Sequence, residues 1–78
     1  MKKFYVTGMI RVSERNKISG TVRDNDSAFD RVVYAESAEA AKEIVCDSVR
    51  NRRTAKNRAF DCLGSEFLSV EVFEKVDV

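Results

Sequence analysis

Alternation of apolar and polar side chains in the segment FYVTGMIRV, residues 4–12, constrains the fold more than any other feature of the chain. A period of two residues is that of a β-strand with one face turned to a hydrophobic core. Gly8 lies on the predicted core face, where a missing side chain lets a neighbouring group pack closely or lets the strand bend. The core face otherwise carries Phe4, Val6, Ile10 and Val12, and the opposite face carries Tyr5, Thr7, Met9 and Arg11.

A second strand is predicted at about residues 29–36, where FDRVVYAES supplies β-branched and aromatic residues in a short run. Residues 13–28 separate the two strands and are polar and rich in turn-forming residues, including Gly20. This segment predicts a long loop, and its outer parts either stay in the loop or extend the two strands into a hairpin.

Residues from Ser37 onward have the features of a helix. Ser37 is a favourable N-cap, and Glu39 in the first turn interacts favourably with the helix dipole. The predicted helix ends near Arg52 or Arg53, and one of its faces carries Ala41, Ile44, Val45, Ser48 and Val49 at three-and-four spacing.

The segment EFLSVEVFEKVDV, residues 66–78, alternates again and predicts a third strand. The element order is then β-β-α-β, an α+β fold in which a three-stranded antiparallel or mixed sheet carries one helix on one face. Residues 1–78 are predicted to be a single domain, and the third strand pairs with either the first or the second. Its two predicted faces are Leu68, Val70, Val72 and Val76 on one side and Phe67, Ser69, Glu71, Phe73 and Lys75 on the other.

One helix covers only one side of such a sheet, so the opposite face is predicted to be exposed and apolar. A face of this kind marks a protein partner, a second copy of the chain, or a covering segment such as residues 54–64. Base stacking is less favoured, since the glycine-aromatic pattern of RNA-binding sheets is absent. We predict a partner or dimer face with Tyr5, Met9, Phe67 and Phe73, joined by either Val32 and Tyr34 or Val33 and Ala35.

Charge is distributed unevenly along the chain, although the formal net charge is only +1. The segment RNRRTAKNR, residues 50–58, has five basic and no acidic residues. A helix C-terminus favours cations through its dipole and its free carbonyls, which accounts for Arg50, Arg52 and Arg53. Lys56 and Arg58 lie beyond the predicted helix end. They are the stronger candidates for contact with a nucleic-acid backbone or an acidic protein.

Three aspartates, Asp24, Asp26 and Asp30, begin like a calcium-binding loop. Ala28, Phe29 and Ala35 then stand where such a loop needs an oxygen ligand, the turn glycine and the closing carboxylate. An Asx turn is the better interpretation. The acidic loop is also predicted to be a contact surface for a basic partner or for residues 50–58.

The composition excludes several kinds of chemistry. The chain has no histidine, which removes the commonest general base and the commonest metal ligand. Cys46 and Cys62 lie in different predicted elements without metal-binding spacing, and we predict reduced thiols packed as small hydrophobic groups. We therefore predict no enzymatic activity, no cofactor and no metal site.

The targeting signals that a sequence can carry are not evident here. No apolar run approaches the roughly 18 residues of a membrane span, and the N-terminus lacks the unbroken apolar stretch of a signal peptide. With 44% hydrophobic and 35% charged residues, the composition is that of a globular protein. We predict a cytoplasmic location and no membrane association.

The segments FYVTGMIRV, RVVYAESAEAAKEIV and FLSVEVFEKV together resemble two kinds of small protein. One is the archaeal large-subunit ribosomal protein LX, and the other is the DpnD/PcfM-like group of plasmid and phage proteins. The LX resemblance implies rRNA binding, which would suit the basic residues at 50–58. LX-like chains are strongly basic overall, whereas this chain is nearly neutral, so the mobile-element type is favoured.

Two functions follow as hypotheses. The preferred one is a non-enzymatic binding module, encoded by a phage or other mobile element, that inhibits or modulates host nucleic-acid-handling machinery through protein contact. The alternative is an RNA- or DNA-binding protein that uses Arg50, Arg52, Arg53, Lys56 and Arg58. A homodimer through the open face is compatible with both.

Overall fold

The computed structural model describes residues 1–76 and confirms the predicted element order. The elements are β1 (Lys2–Asn16), β2 (Val22–Ala35), α1 (Ala38–Arg53) and β3 (Phe60–Lys75). The strands form one antiparallel sheet in the order β2-β1-β3, so β3 pairs with β1. The helix therefore connects two parallel strands that flank β1, and the fold is α+β.

The first two strands form a much longer hairpin than the sequence indicates. Their pairing is regular from Lys2 opposite Ala35 to Arg15 opposite Val22, and only residues 17–21 turn the chain. Gly20 adopts a φ of 74° in that turn, a conformation that glycine adopts without steric cost. Most of the predicted long loop is thus strand, because its polar side chains pair across the hairpin and both sheet faces are open to solvent at that end.

The core lies between α1 and one end of the sheet. A helix of 16 residues is about 24 Å long, whereas the 15 residues of β1 span about 50 Å, so α1 covers only half of the sheet. Ser37 is the N-cap, as predicted, and its side chain accepts a hydrogen bond from the Ala40 N–H. The buried cluster consists of Phe4, Val6, Ile10, Val12, Phe29, Ala35, Ala41, Val45 and Val49.

Two helical residues, Ile44 and Ser48, depart from the predicted core face and are exposed. Ile44 is 49% exposed, and Cys46 is buried in its place beside Val45. Ile44 instead lies toward the β2 edge of the sheet, near Val33. The helix therefore faces the sheet through a stripe shifted slightly from the predicted one.

Gly8 allows a close approach at the centre of the core face, as predicted. A Cβ atom there would clash with the Ser69 carbonyl oxygen and would lie 2.9 Å from the Phe29 ring. The Phe29 ring occupies this space and packs edge-on against Phe67, with centroids 5.7 Å apart. The missing side chain of Gly8 thus makes room for an aromatic pair.

Two bulges in β3, at Leu68 and at Leu63, change which face its side chains occupy. Met9 pairs with Ser69 and Ile10 pairs with Phe67, so Leu68 is an extra residue in the ladder. Such a bulge reverses the phase of the alternation. The prediction that Phe67 belongs to the partner or dimer face is therefore wrong, because Phe67 lies on the helix side against Phe29.

Candidate functional site

The sheet face opposite α1, hereafter the open face, presents its side chains in rows of three across β2, β1 and β3. The register places residues of the three strands side by side, and neighbouring side chains in a row are close enough to interact. From the helix-covered end, the rows are Tyr34-Lys3-Lys75, Val32-Tyr5-Phe73, Asp30-Thr7-Glu71, Ala28-Met9-Ser69, Asp26-Arg11-Glu66 and Asp24-Ser13-Gly64.

The first four rows contain an exposed cluster, which we call the apolar patch: Tyr5, Met9, Val32, Tyr34 and Phe73. Val32, Tyr34 and Phe73 are 49%, 59% and 51% exposed. The Tyr5 and Phe73 rings lie 6.5 Å apart, and the Lys75 Nζ lies 5.5 Å from the centre of the Tyr5 ring. Val32, Tyr5 and Phe73 are neighbours in one row, Tyr34 lies in the row before them, and Met9 lies beyond the row of Thr7.

The structure brings together Tyr5, Met9 and Phe73, three of the four residues predicted for this face. It also settles the contribution of β2, where Val32 and Tyr34 face outward and Ala35 is buried. The predicted covering segment does not cover the patch. Residues 60–64 belong to β3, and Phe60 pairs with Asn16 at the far end of β1 from Tyr5.

The three aspartates lie on β2 and not in a loop, so the predicted acidic contact loop is wrong. Asp24, Asp26 and Asp30 point to the open face, where Ser13, Arg11 and Thr7 are their pairing neighbours on β1. The aspartates stand two and four residues apart, so all three fall on one face of a strand, and this spacing was the sequence signal that could have identified β2 there.

Each aspartate has a partner on β1 and none of these partners belongs to residues 50–58. Arg11 Nε donates to Asp26 Oδ1 at 2.8 Å, and a second Arg11 nitrogen donates to Oδ2 at 3.1 Å. The hydrogen bonds and charge of Arg11 lower the pKa of Asp26. Ser13 Oγ donates to Asp24 at 2.6 Å, and the Tyr5 hydroxyl donates to Asp30 at 3.4 Å.

Carboxylates outnumber cations on the open face. From the row of Lys3 to that of Arg15, the cations are Lys3, Arg11, Arg15 and Lys75. The carboxylates are Asp24, Asp26, Asp30, Asp61, Glu66 and Glu71. A nucleic-acid backbone would meet net repulsion here, so the aromatic rings of this face are poorly placed for stacking with bases.

The basic residues at 50–58 fall into different groups from those predicted, because the helix end accounts for Arg50 but not for Arg52 and Arg53. Thr54 satisfies the helix end, because its N–H and its Oγ1 both donate to the Arg50 carbonyl, at 2.9 and 2.8 Å. The Arg50 side chain lies 3.5 Å from Asp47 and over the Phe67 ring. Arg50 therefore has local partners, and its position needs no external ligand.

The other four cations remain available. Arg52 and Arg53 line a cleft of about 360 Å³ with Glu14 and Asn25, where the helix ends over the sheet. Within residues 1–76, no carboxylate lies within 4.0 Å of the charged groups of Arg52, Arg53, Lys56 or Arg58. Arg52 and Arg53 thus join Lys56 and Arg58 as candidates for binding an anion.

The cysteines differ from each other. Both are free, but Cys46 is buried, as predicted, whereas Cys62 is exposed on β3 and is not packed as a small hydrophobic group. Burial raises the pKa of the Cys46 thiol, which disfavours the nucleophilic thiolate. Cys46 lies at an open groove of about 600 Å³ between α1 and β3, whose other lining residues include Glu39, Lys42, Glu43 and Asp47.

Metal-binding and membrane features complete the description of residues 1–76. These residues contain no cluster of three or more cysteine, aspartate or glutamate side chains arranged to hold a metal ion. Their helix α1 is not long and apolar enough to cross a bilayer.

Searches against protein-family models, curated proteins and solved structures found no match to the chain. The resemblance to the LX and DpnD/PcfM-like proteins therefore stays a prediction.

Proposed function

We propose that the chain is a cytoplasmic, non-enzymatic module that acts by protein-protein contact, and that its contact surface is the apolar patch of the open face. The observation that carries this proposal is the exposure of Val32, Tyr34 and Phe73 to about half or more of their surface on one face. Exposed apolar patches of this kind are typical of protein-contact sites. Aromatic side chains are also enriched in such interfaces.

The charges around the patch also favour a protein over a nucleic acid. The row on one side of Tyr5 holds Thr7 between Asp30 and Glu71. The row on the other side of Tyr5 holds Lys3 and Lys75. A rim with both signs of charge can match a protein surface, whereas a phosphate backbone would be repelled by the acidic row.

The resemblance to mobile-element proteins motivates the proposed target. Such a module, encoded by a phage or plasmid, has no catalytic groups. It would inhibit or modulate a host complex by occupying a surface of one of the proteins in that complex. We propose that this complex handles nucleic acids, and the open face is the surface that would contact its protein component.

A capture experiment with two matched valines tests the proposal. Val32 lies in the patch and Val22 lies on the same strand and face at the far end of the sheet, with exposures of 49% and 54%. The tagged protein should capture a stoichiometric partner from host lysate, and Val32→Ser should reduce the yield strongly. Val22→Ser should leave it unchanged. Equal yields from the two variants, or no stoichiometric partner for the unsubstituted protein, would contradict the proposal.

A second candidate function is direct binding of RNA or DNA, favoured by the four cations near the helix end that have no carboxylate partner within residues 1–76. It predicts that affinity for a labelled oligonucleotide falls steeply with salt. Arg52→Glu combined with Arg53→Glu should reduce the slope of log affinity against log salt by about 2. The control, Lys2→Glu combined with Lys42→Glu, has the same charge change elsewhere. Absent or salt-independent binding would exclude this function.

A further inference from the structure

We propose that the apolar patch binds a second copy of the chain, with the two open faces packed together and their strands antiparallel. This inference rests on the proposed function in that it takes the patch to be a protein-contact surface, and it identifies one occupant. A monomer-dimer equilibrium would then compete with binding of a host protein to the same face.

The order of the rows makes the face complementary to itself. The row of Tyr5 is apolar, the row on one side carries Lys3 and Lys75, and the row on the other side carries Asp30 and Glu71. A two-fold axis across the strands at the row of Tyr5 places the basic row of each copy opposite the acidic row of its partner. Self-complementary contacts of this kind are what a two-fold interface requires.

Column by column, the antiparallel arrangement makes favourable pairs. Each strand lies over the same strand of the other copy, so Lys75 faces Glu71 and the Tyr34 hydroxyl faces the Asp30 carboxylate. Tyr5, Phe73 and Val32 each face their own counterparts. Packed sheets are about 10 Å apart, a separation that these long side chains span.

The alternative two-fold arrangement, with parallel strands, brings like charges together. It places Lys3 against Lys3 and Asp30 against Glu71 across the interface. Such contacts oppose association. Charge therefore selects the antiparallel dimer.

The size of the interface indicates a weak dimer. Strands about 4.8 Å apart and rows about 6.8 Å apart give the three overlapping rows, those of Lys3, Tyr5 and Thr7, a footprint of about 14 by 20 Å. Both copies together would bury about 600 Å², which is well below the area of stable specific interfaces and is the size of a weak, transient contact. The dimer should form reversibly and at high protein concentration.

A charge exchange between two positions tests the arrangement by sedimentation velocity. Glu71 and Lys75 are four residues apart on β3, about 13 Å, so they do not pair within one chain. From about 10 to 500 µM the unsubstituted protein should show a monomer-dimer equilibrium. Lys75→Glu alone and Glu71→Lys alone should each weaken the dimer by at least about tenfold.

Mixing the two singly substituted proteins should restore association, because each copy then faces opposite charges at both contacts. Glu66→Lys is the matched control, since it makes the same charge change on the open face of β3 outside the overlapping rows, and it should leave the dimer unchanged. A monomer at all concentrations, or no recovery on mixing, would overturn the inference. Circular dichroism of each variant checks that it is folded.

The results also separate this inference from the proposed function. If the unsubstituted protein stays monomeric while Val32→Ser alone abolishes capture of a host partner, the second copy is excluded and the proposed function stands. If mixing restores the dimer while Val32→Ser and Val22→Ser capture a host partner equally, the patch is a self-association surface and the proposed function fails.

Discussion

The two faces of β1 both carry large apolar side chains but have different structural roles. Ile10 on the helix side is fully buried, whereas Met9, its neighbour on the open face, is 38% exposed. Both faces of the helix-covered end carry large apolar side chains, yet α1 covers only one of them. Burial on one face accounts for the fold, whereas the apolar side chains on the other face stay exposed to solvent.

The largest expected difference between the faces is in stability. Ile10→Ala should lower the free energy of unfolding by about 2–5 kcal/mol, because it leaves a cavity in the core. Met9→Ala on the open face should change it by less than about 1 kcal/mol. Urea unfolding measures both. If Ile10→Ala does not fold, Ile10→Val should still cost about 0.5–1.5 kcal/mol. Similar losses at residues 9 and 10 would contradict the assignment of faces.

A smaller effect is expected at the glycines. Gly8→Ala should destabilise the protein by about 1–3 kcal/mol, because its Cβ would clash with the Ser69 backbone and the Phe29 ring. Gly64→Ala on β3 is the control, because a Cβ at Gly64 would enter open space with no neighbouring group within 4 Å. Its stability should lie within about 0.5 kcal/mol of that of the unsubstituted protein. Equal thermal midpoints for the two variants would mean that Gly8 is not a packing site.

The smallest effect concerns the polar end of the open face. Arg11 lowers the pKa of Asp26, so the folded protein binds a proton there less readily than the unfolded chain does. The ionised Asp26 side chain therefore contributes stability above its ordinary pKa of 3.8, and this contribution is lost as pH falls through the lowered pKa. Carboxylate NMR titration should give Asp26 a pKa below 3.8, and Arg11→Gln should return it toward 3.8. An unchanged pKa in that variant would exclude the ion pair.

The sequence predicted the elements that are determined by neighbouring residues along the chain. The alternation around Ile10 identified β1 and its core face, and Ser37 with Glu39 identified the helix start. These features are encoded by side-chain period and capping, which act over a few residues. The β-β-α-β order followed from them.

The features that depend on pairing between strands were predicted poorly. The polar segment from Ser13 to Ala28 gave no hydrophobic period, and only its partners across the hairpin make it a strand. The bulge at Leu68 moved Phe67 to the helix side, and the adjacent apolar pair Phe67-Leu68 was the one sign that the alternation could change phase there. An uninterrupted period of two, assumed along the whole strand, misses such a shift.

The candidate site was predicted in part for the same reason. Tyr5, Met9 and Phe73 followed from alternation alone, whereas the rows that give the face its charge order required the register of all three strands. The sequence could not predict that Arg52 and Arg53 are free to bind an anion, because that depends on which carboxylates lie near the helix end in the folded chain.

Solvent accessibility of the two matched positions tests the central claim most directly. Val32→Cys and Val22→Cys, each combined with Cys62→Ser to remove the exposed thiol, would be labelled with a maleimide in dilute buffer and in concentrated host lysate. Cys46 is buried and should react slowly in both conditions. We predict that labelling at position 32 slows markedly in lysate relative to position 22, because a protein covers the apolar patch. Equal rates at the two positions in both conditions would contradict it.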